Sequence, residues 1–234
     1  MGEKRFPRSV VGVYGDEHRE ILRDLSTGAF PESDILAALE DPDTDAFTQE
    51  MALGSLGMVH GDDRRVGEIL RRELALASQR AQRTRQCACI GGLVGRLGLE
   101  AVPDLESLWA QKIPRDVRDL ILEAFGHLGV TAHYQEALAL FERGLKGGRQ
   151  WSGGIYMPTL SSYLFACVRN GVGSGEEIKA LIRANRATIP IRGGFADGYG
   201  RLLPGIYDPD VALAEIPDPV SLWNRWNPPP REER

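Results

Sequence analysis

Residues 115–129 read RDVRDLILEAFGHLG, and this stretch decides the fold class. Its apolar side chains recur every three or four positions, which places them on one stripe of an α-helix. They are Val117, Leu120, Ile121, Ala124, Phe125 and Leu128. The segment is therefore predicted to be an amphipathic helix that buries this stripe against neighbouring elements.

The same helical spacing recurs along most of the chain, and sustained strand-like alternation is missing. Short breaks at proline, glycine and aspartate separate the periodic segments, which is typical of antiparallel helices joined by tight connections. Helices are predicted at about residues 17–26, 34–40, 46–60, 63–80, 83–98, 103–111, 115–129, 133–146, 157–170 and 175–185. The fold class is therefore all-α.

A glycine motif indicates an internal repeat. The segment LVGRLG at 93–98 aligns with AFGHLG at 124–129 and more loosely with SLGMVH at 55–60. In this register the central glycines coincide at steps of 38 and 31 residues, which bracket the length of a two-helix repeat. The coinciding residues are Gly57, Gly95 and Gly126.

Glycines within helices also predict close packing. A glycine inside a helix costs about 1 kcal/mol relative to alanine, so its retention needs compensation from a close approach of two helices. This reasoning applies to Gly91, Gly92, Gly95 and Gly126. Gly98 and Gly129 are instead expected to end their helices.

The segment DVRDLILEAFGHLG at 116–129 resembles the second helix of a HEAT-like repeat of the PBS-lyase, armadillo-like kind. It has the Asp-Val-Arg start and the Gly-x-Leu-Gly end of that helix. The resemblance covers roughly residues 34–170. It implies an α/α superhelix, a solenoid of about five helical hairpins whose second helices line a concave face, and it implies almost nothing about chemistry.

The composition changes near residue 186, so the solenoid is predicted over 1–185 and an irregular capping segment over 186–234. Eight of the fourteen prolines and several aromatic residues lie in the second segment. Trp223 and Trp226 are spaced as an anchor for a partner or for the protein's own groove, and self-packing is the preferred interpretation. Only Asn227–Arg234 is predicted to be disordered.

The overall charge limits the classes of partner. The formal net charge is -5 and the sequence pI is about 5.5, which opposes general affinity for polyanions. Hydrophobic residues make up 42% of the chain, yet no apolar run reaches the roughly 18 residues that span a bilayer. A cytoplasmic protein without membrane contact is therefore expected.

No arrangement of residues typical of a metal, nucleophile or cofactor site is found. The four histidines lack metal-binding spacing, and Cys87 and Cys89 diverge by roughly 200° around a helix. The three cysteines are expected to be reduced, with Cys87 and Cys167 in the core and Cys89 filling a small space between helices. The glycine-rich stretches do not match phosphate-binding loops. No catalytic residue, metal or cofactor is predicted.

Mixed charges on the expected concave face predict a surface that binds another protein. The candidate residues are Gln49, Arg85, Arg96, Asp119 and Glu123, with Trp223 and Trp226 as further candidates. Asp119 and Glu123 lie four residues apart, opposite the apolar stripe, and nearby Arg115 and Arg118 are expected to neutralise them. Recognition is preferred over acid–base catalysis, and a scaffold, an adaptor and an immunity-type inhibitor fit equally well.

The alternative is a nucleic-acid-binding protein. The seven arginines between residues 64 and 85, set against the four carboxylates between residues 62 and 73, give a local balance of +3. Some HEAT-like proteins, the DNA alkylpurine glycosylases, hold DNA through cationic residues on the concave face, so Arg83, Arg85 and Arg96 are candidate phosphate contacts. Against this, the arginines spread around their helix and the chain as a whole is acidic.

Overall fold

A computed structural model describes residues 5–7, 9, 20–21, 23–25 and 30–185. From residue 30 onward it contains helices α1 (Glu32–Glu40), α2 (Ala46–Ser55), α3 (Asp63–Gln79), α4 (Arg83–Leu97), α5 (Val102–Trp109), α6 (Arg115–Leu128), α7 (Tyr134–Lys146), α8 (Met157–Arg169) and α9 (Gly175–Ala184). A 3₁₀ helix (Gly98–Ala101) precedes α5, and strands β1 (Trp151–Ser152) and β2 (Ile155–Tyr156) precede α8. The mostly helical fold agrees with the predicted all-α class.

Local sequence signals account for the helix ends. The Asp45 side chain accepts a hydrogen bond from the Thr48 N–H at 2.9 Å, and Asp62 accepts one from the Arg65 N–H at 3.0 Å. Both aspartates are N-caps that satisfy donors left free in a first helical turn. Gly129 ends α6 in the left-handed conformation, with φ of 72°, as predicted. Gly98 ends α4 at a φ of 53°.

The described residues fall into two compact units, one ending at Gln111 and the other beginning at Lys112. This division was not expected, and it lies at the break in helical periodicity before Pro114. The predicted boundary at residue 186 lies at the edge of the described residues. No helix within the described ranges is long and apolar enough to cross a membrane.

In the first unit α1 packs on α2, α3 packs on α4, and the two second helices, α2 and α4, pack on each other. Glycines allow the last contact. A Cβ at Gly92 would lie 2.5 Å from the Leu53 carbonyl oxygen, and one at Gly95 would lie 2.7 Å from that of Gly57. These distances are too short for any side chain, so the predicted close packing is confirmed at Gly92 and Gly95.

In the second unit α8 packs on both α6 and α7, and α9 packs against α7 and α8. The core of α6 is wider than one stripe, because Leu122 is fully buried beside Ile121 and Phe125. The reason is that α6 contacts β2 as well as α8. The short β1–β2 hairpin was not predicted; its two-residue turn, Gly153-Gly154, has positive φ at both positions, as a type I′ turn requires.

Candidate functional site

Arg85 lies at the centre of a polar network in the first unit. Its guanidinium donates to Glu73 Oε2 from Nη2 at 2.6 Å and from Nε at 3.2 Å, and to Gln49 Oε1 from Nη1 at 3.3 Å. The side chains of Arg85 and Glu73 are 19% and 14% exposed. Two of the predicted binding residues, Gln49 and Arg85, therefore lie together, and Glu73 holds Arg85 in place.

A surface cleft of about 430 Å³ opens beside this network between α1, α3 and α4. Its apolar residues come from α1 and α3, and its charged residues are three carboxylates and three guanidinium groups. The lining residues are Leu36, Leu39, Glu40, Arg65, Glu68, Ile69, Arg72, Glu73 and Arg85. Formal charges balance within the cleft, so a ligand that matches it carries both signs of charge or neither.

Most arginines of the predicted cationic run are paired with carboxylates. Besides the Arg85–Glu73 pair, Arg71 Nε lies 2.8 Å from Asp104 Oδ2 and Arg72 Nη2 lies 3.2 Å from Glu73 Oε1. Arg64 lies 3.4 Å from Glu68 on the surface of α3. The carboxylates in these pairs offset much of the positive charge that would be needed to bind a nucleic-acid phosphate backbone.

Arg96 is enclosed rather than presented on a surface. Its side chain is 3% exposed and contacts Glu32 and the Val59 carbonyl, while its Nε lies 2.8 Å from Asp63 Oδ1. These contacts join α1, α4, the segment before α3 and the first residue of α3. Arg96 therefore has a structural role within the first unit, and its proposed contact with a partner stays a prediction.

Asp119 and Glu123 form a second polar cluster, in the second unit. Asp119 Oδ1 accepts a hydrogen bond from the Tyr156 N–H at 2.8 Å. Thr159, on the first turn of α8 and 4% exposed, donates its hydroxyl to Glu123 Oε1 at 3.3 Å. The helical spacing of the two carboxylates brings them together, as predicted, and β2 and α8 supply their hydrogen-bond donors.

The surroundings of this carboxylate pair stabilise the protonated forms of both side chains. Burial raises the pKa of Asp119 to about 6, and the hydrogen bonds from Tyr156 and Thr159 only partly oppose this shift. Burial and repulsion by Asp119 raise the pKa of Glu123 above its usual range. Glu123 is nevertheless exposed to solvent, which screens part of the effect. The pair therefore takes up a proton closer to neutral pH than ordinary carboxylates do.

Arg115 and Arg118, which were expected to neutralise Asp119 and Glu123, make contacts with other groups. Arg115 lies over the Trp151 ring, with its guanidinium carbon 4.8 Å from the ring centre. Arg118 Nη2 contacts Glu136 Oε1 at 2.9 Å. The hairpin and α7 thus provide partners for both arginines, and these partners were not evident from the spacing within α6.

The three cysteines, all within the described residues, form no disulfide bonds. Cys89 and Cys167 are buried, whereas Cys87 is half-exposed. Burial raises the pKa of Cys89 to about 12 and that of Cys167 to about 11. Within the described ranges no group of three or more histidine, cysteine, aspartate or glutamate residues is placed to hold a metal.

Several residues of these sites were missed by sequence reasoning. Glu40 had no signal in the sequence, because only the packing of α1 on its neighbours brings it to the cleft. Thr159 lies 36 residues from Glu123, and no periodicity relates them. The Gly153-Gly154 pair was the one signal for the hairpin that places Tyr156. Trp223 and Trp226 lie outside the described residues.

Comparison of the chain with models of known families, with curated proteins and with solved structures found no match. The interpretation of both sites therefore rests on their geometry.

Proposed function

We propose that this chain is a non-catalytic helical-repeat protein that binds another protein, with the cleft between α1, α3 and α4 as part of the binding surface. A scaffold, an adaptor and an immunity-type inhibitor all act in this way, because each needs only a shaped and charged surface. The HEAT-like α/α superhelix and the cytoplasmic location belong to the same proposal.

The observation that carries this proposal is the balance of charge in the cleft. Three carboxylates and three guanidinium groups surround the partly exposed apolar side chains of Leu39 and Ile69. Protein surfaces present apolar groups beside both signs of charge, so a protein segment complements such a cleft. A polyanion does not, since it would meet Glu40, Glu68 and Glu73.

The same argument weighs against the nucleic-acid alternative. Binding to phosphates requires cations that are available to release counterions. Arg71, Arg72 and Arg85 already contact carboxylates of the first unit, and Arg96 is enclosed. Strong binding to DNA or RNA would therefore have to break existing ion pairs.

The packing of second helices supports the repeat part of the proposal. In the first unit α2 packs on α4, and in the second α6 packs on α8. Stacking of successive second helices is what a two-helix repeat array requires. The glycine-mediated approach of α2 and α4 involves two of the three glycines that define the sequence repeat, Gly57 and Gly95.

The test is affinity purification of tagged protein from its native host after nuclease treatment, with partners identified by mass spectrometry. The cleft variant carries Arg65→Glu and Arg72→Glu, two exposed residues of α3. It removes the contact of Arg72 with Glu73 and keeps both residues of the Arg85–Glu73 pair. A matched control carries Arg80→Glu and Lys112→Glu, which make the same change in net charge at exposed positions that do not line the cleft.

A protein retained by the wild type and the control but lost from the cleft variant is the expected result. Nuclease-sensitive nucleic acid without a protein partner would overturn the proposal. Arg96 is not replaced in this test, because its substitution would disturb the enclosed contact with Glu32 rather than a surface.

A further inference from the structure

Two charges of the cleft have no ion-pair partner among the described residues. Within the described residues neither the Glu40 carboxylate nor the Arg65 guanidinium is in an ion pair, although both line the cleft and both are exposed. Their neighbour Glu73 is engaged by Arg72 and Arg85, and Glu68 by Arg64. The charges available to a ligand are thus one carboxylate from α1 and one guanidinium from α3.

Both charges also lie at unfavourable ends of their helices. Glu40 is the last residue of α1, whose final turn contains no basic residue, so a negative charge adds to the negative end of the helix dipole. Arg65 lies in the first turn of α3, near the positive end. Each such placement is unfavourable for an exposed helix. Charges that do not stabilise their own helices are candidates for a role in recognition.

Apolar side chains lie among these charges. Leu36 is 5% exposed and forms part of the core, whereas Leu39 and Ile69 remain partly exposed in the cleft. An apolar side chain inserted there would remove this surface from water. At about 430 Å³ the cleft is near the lower end of the size range of pockets that enclose whole ligands, so it suits a short segment better than a large surface.

We propose that the cleft binds a short segment of a partner protein in which an apolar side chain is flanked by a basic residue and an acidic residue. The basic residue contacts Glu40, the acidic residue contacts Arg65 with support from Arg72, and the apolar side chain packs on Leu39 and Ile69. This inference rests on the proposed protein-binding function and adds the chemistry of the segment that is bound.

The experiment uses the full chain and four capped heptapeptides of otherwise identical alanine and serine background. Their central charged patterns are Lys-x-Leu-x-Glu, Lys-x-Leu-x-Lys, Glu-x-Leu-x-Glu and Lys-x-Ser-x-Glu. Binding is followed by backbone amide shifts in nuclear magnetic resonance spectra, a method that detects weak complexes. Amides of Leu39, Glu40, Arg65 and Ile69 report on the cleft, and those of the second unit serve as the internal control.

The Lys-x-Leu-x-Glu peptide is expected to shift the cleft amides of the wild type most, with the serine peptide weaker. In the Arg65→Glu, Arg72→Glu variant its affinity should fall about tenfold, because attraction is replaced by repulsion. The Lys-x-Leu-x-Lys peptide should become the tightest ligand of that variant. This change of preferred peptide would show that the cleft selects ligands by charge, since an unfolded variant would bind neither peptide. Circular dichroism checks that the variant is folded.

Equal shifts with all four peptides, or a preference of the wild type for Glu-x-Leu-x-Glu, would overturn this inference. So would self-association of the wild type that the cleft substitutions abolish, since the occupant would then be a second copy of the chain. A natural partner that the cleft variant still retains would overturn the inference while protein binding itself stands. Failure of the wild type to retain any protein would instead remove the proposed function.

Discussion

Gly57 and Gly95 meet face to face where the turn after α2 packs on α4. A Cβ on Gly95 would lie 2.7 Å from the Gly57 carbonyl oxygen and 3.0 Å from the Gly57 Cα. Backbone atoms cannot yield to a side chain here without moving a helix. The contact between the two second helices of the first unit therefore depends on the absence of side chains at both positions.

The Gly95→Ala substitution is expected to destabilise the protein by about 1–3 kcal/mol through overpacking. Gly54→Ala, within α2, is the matched control, because its Cβ would approach nothing closer than the Ala88 carbonyl oxygen at 3.9 Å. That change should stabilise by about 0.5–1 kcal/mol through helix propensity. Urea unfolding measures both, and a Gly95→Ala protein as stable as the wild type would refute the close-packing account.

The enclosed Arg96 provides a second prediction. Arg96→Met leaves the Glu32 carboxylate, 14% exposed, without its cation, and removing one member of an enclosed pair costs about 3–5 kcal/mol. Adding Glu32→Gln should restore much of the lost free energy of unfolding, because the remaining carboxylate that Arg96 contacted, Asp63, is exposed to solvent. If the single and double variants are equally destabilised, the ion pair is not the reason for the loss.

The Asp119–Glu123 pair predicts a specific pH dependence. Because the folded-state pKa of Asp119 is raised from 3.8 to about 6, the folded protein binds more protons than the unfolded chain between these values. The contribution of this group to stability is therefore complete below about pH 4 and is lost as the pH rises through about 6. Relative to Asp119→Asn, the wild type should lose on the order of 1–3 kcal/mol between pH 4 and 8.

Urea unfolding of both proteins at several pH values measures this difference, since other titrating groups contribute to the wild type and the variant alike. Relative to Glu123→Gln, the wild type should also lose free energy of unfolding as the pH rises, but by a smaller amount, because water screens Glu123. A wild type that instead gains stability over the variant as the pH rises would contradict the assigned direction of the pKa shift.

Thiol reactivity should distinguish the three cysteines. Cys89 and Cys167 are buried, with pKa values raised to about 12 and 11, so they present almost no thiolate at pH 8. Cys87 is half-exposed and should react first with an aromatic disulfide reagent. Cys87→Ser should remove the fast phase, and all three wild-type thiols should react in denaturant. Rapid native reaction in the Cys87→Ser protein would show that a buried thiol is accessible.

The helices and their glycine contacts could be predicted because both depend on local sequence. The period of residues 115–129 identified α6, and the helix-propensity cost of Gly92 and Gly95 identified a close approach. The full burial of Leu122 could not be predicted in this way, since it depends on β2 and α8 covering different sides of α6. The interpretation of a single apolar stripe was too narrow for a helix with two packed sides.

The candidate sites were predicted less completely. The proximity of Asp119 to Glu123 follows from helical spacing, and Gln49, predicted on the same face as Arg85, accepts a hydrogen bond from it. The enclosure of Arg96 and the position of Glu40 depend on contacts between helices distant in sequence. Charge counting along the chain gave an arginine-rich run, but it could not show which carboxylates offset it in three dimensions.

Calorimetric titration of the purified partner into wild type, the Arg65→Glu, Arg72→Glu variant and the Arg80→Glu, Lys112→Glu control tests the central claim most directly. Protein binding through the cleft predicts similar affinity for the wild type and the control, and a loss of about tenfold or more for the cleft variant. Equal affinity for all three proteins would contradict the account, because the cleft would then lie outside the binding surface.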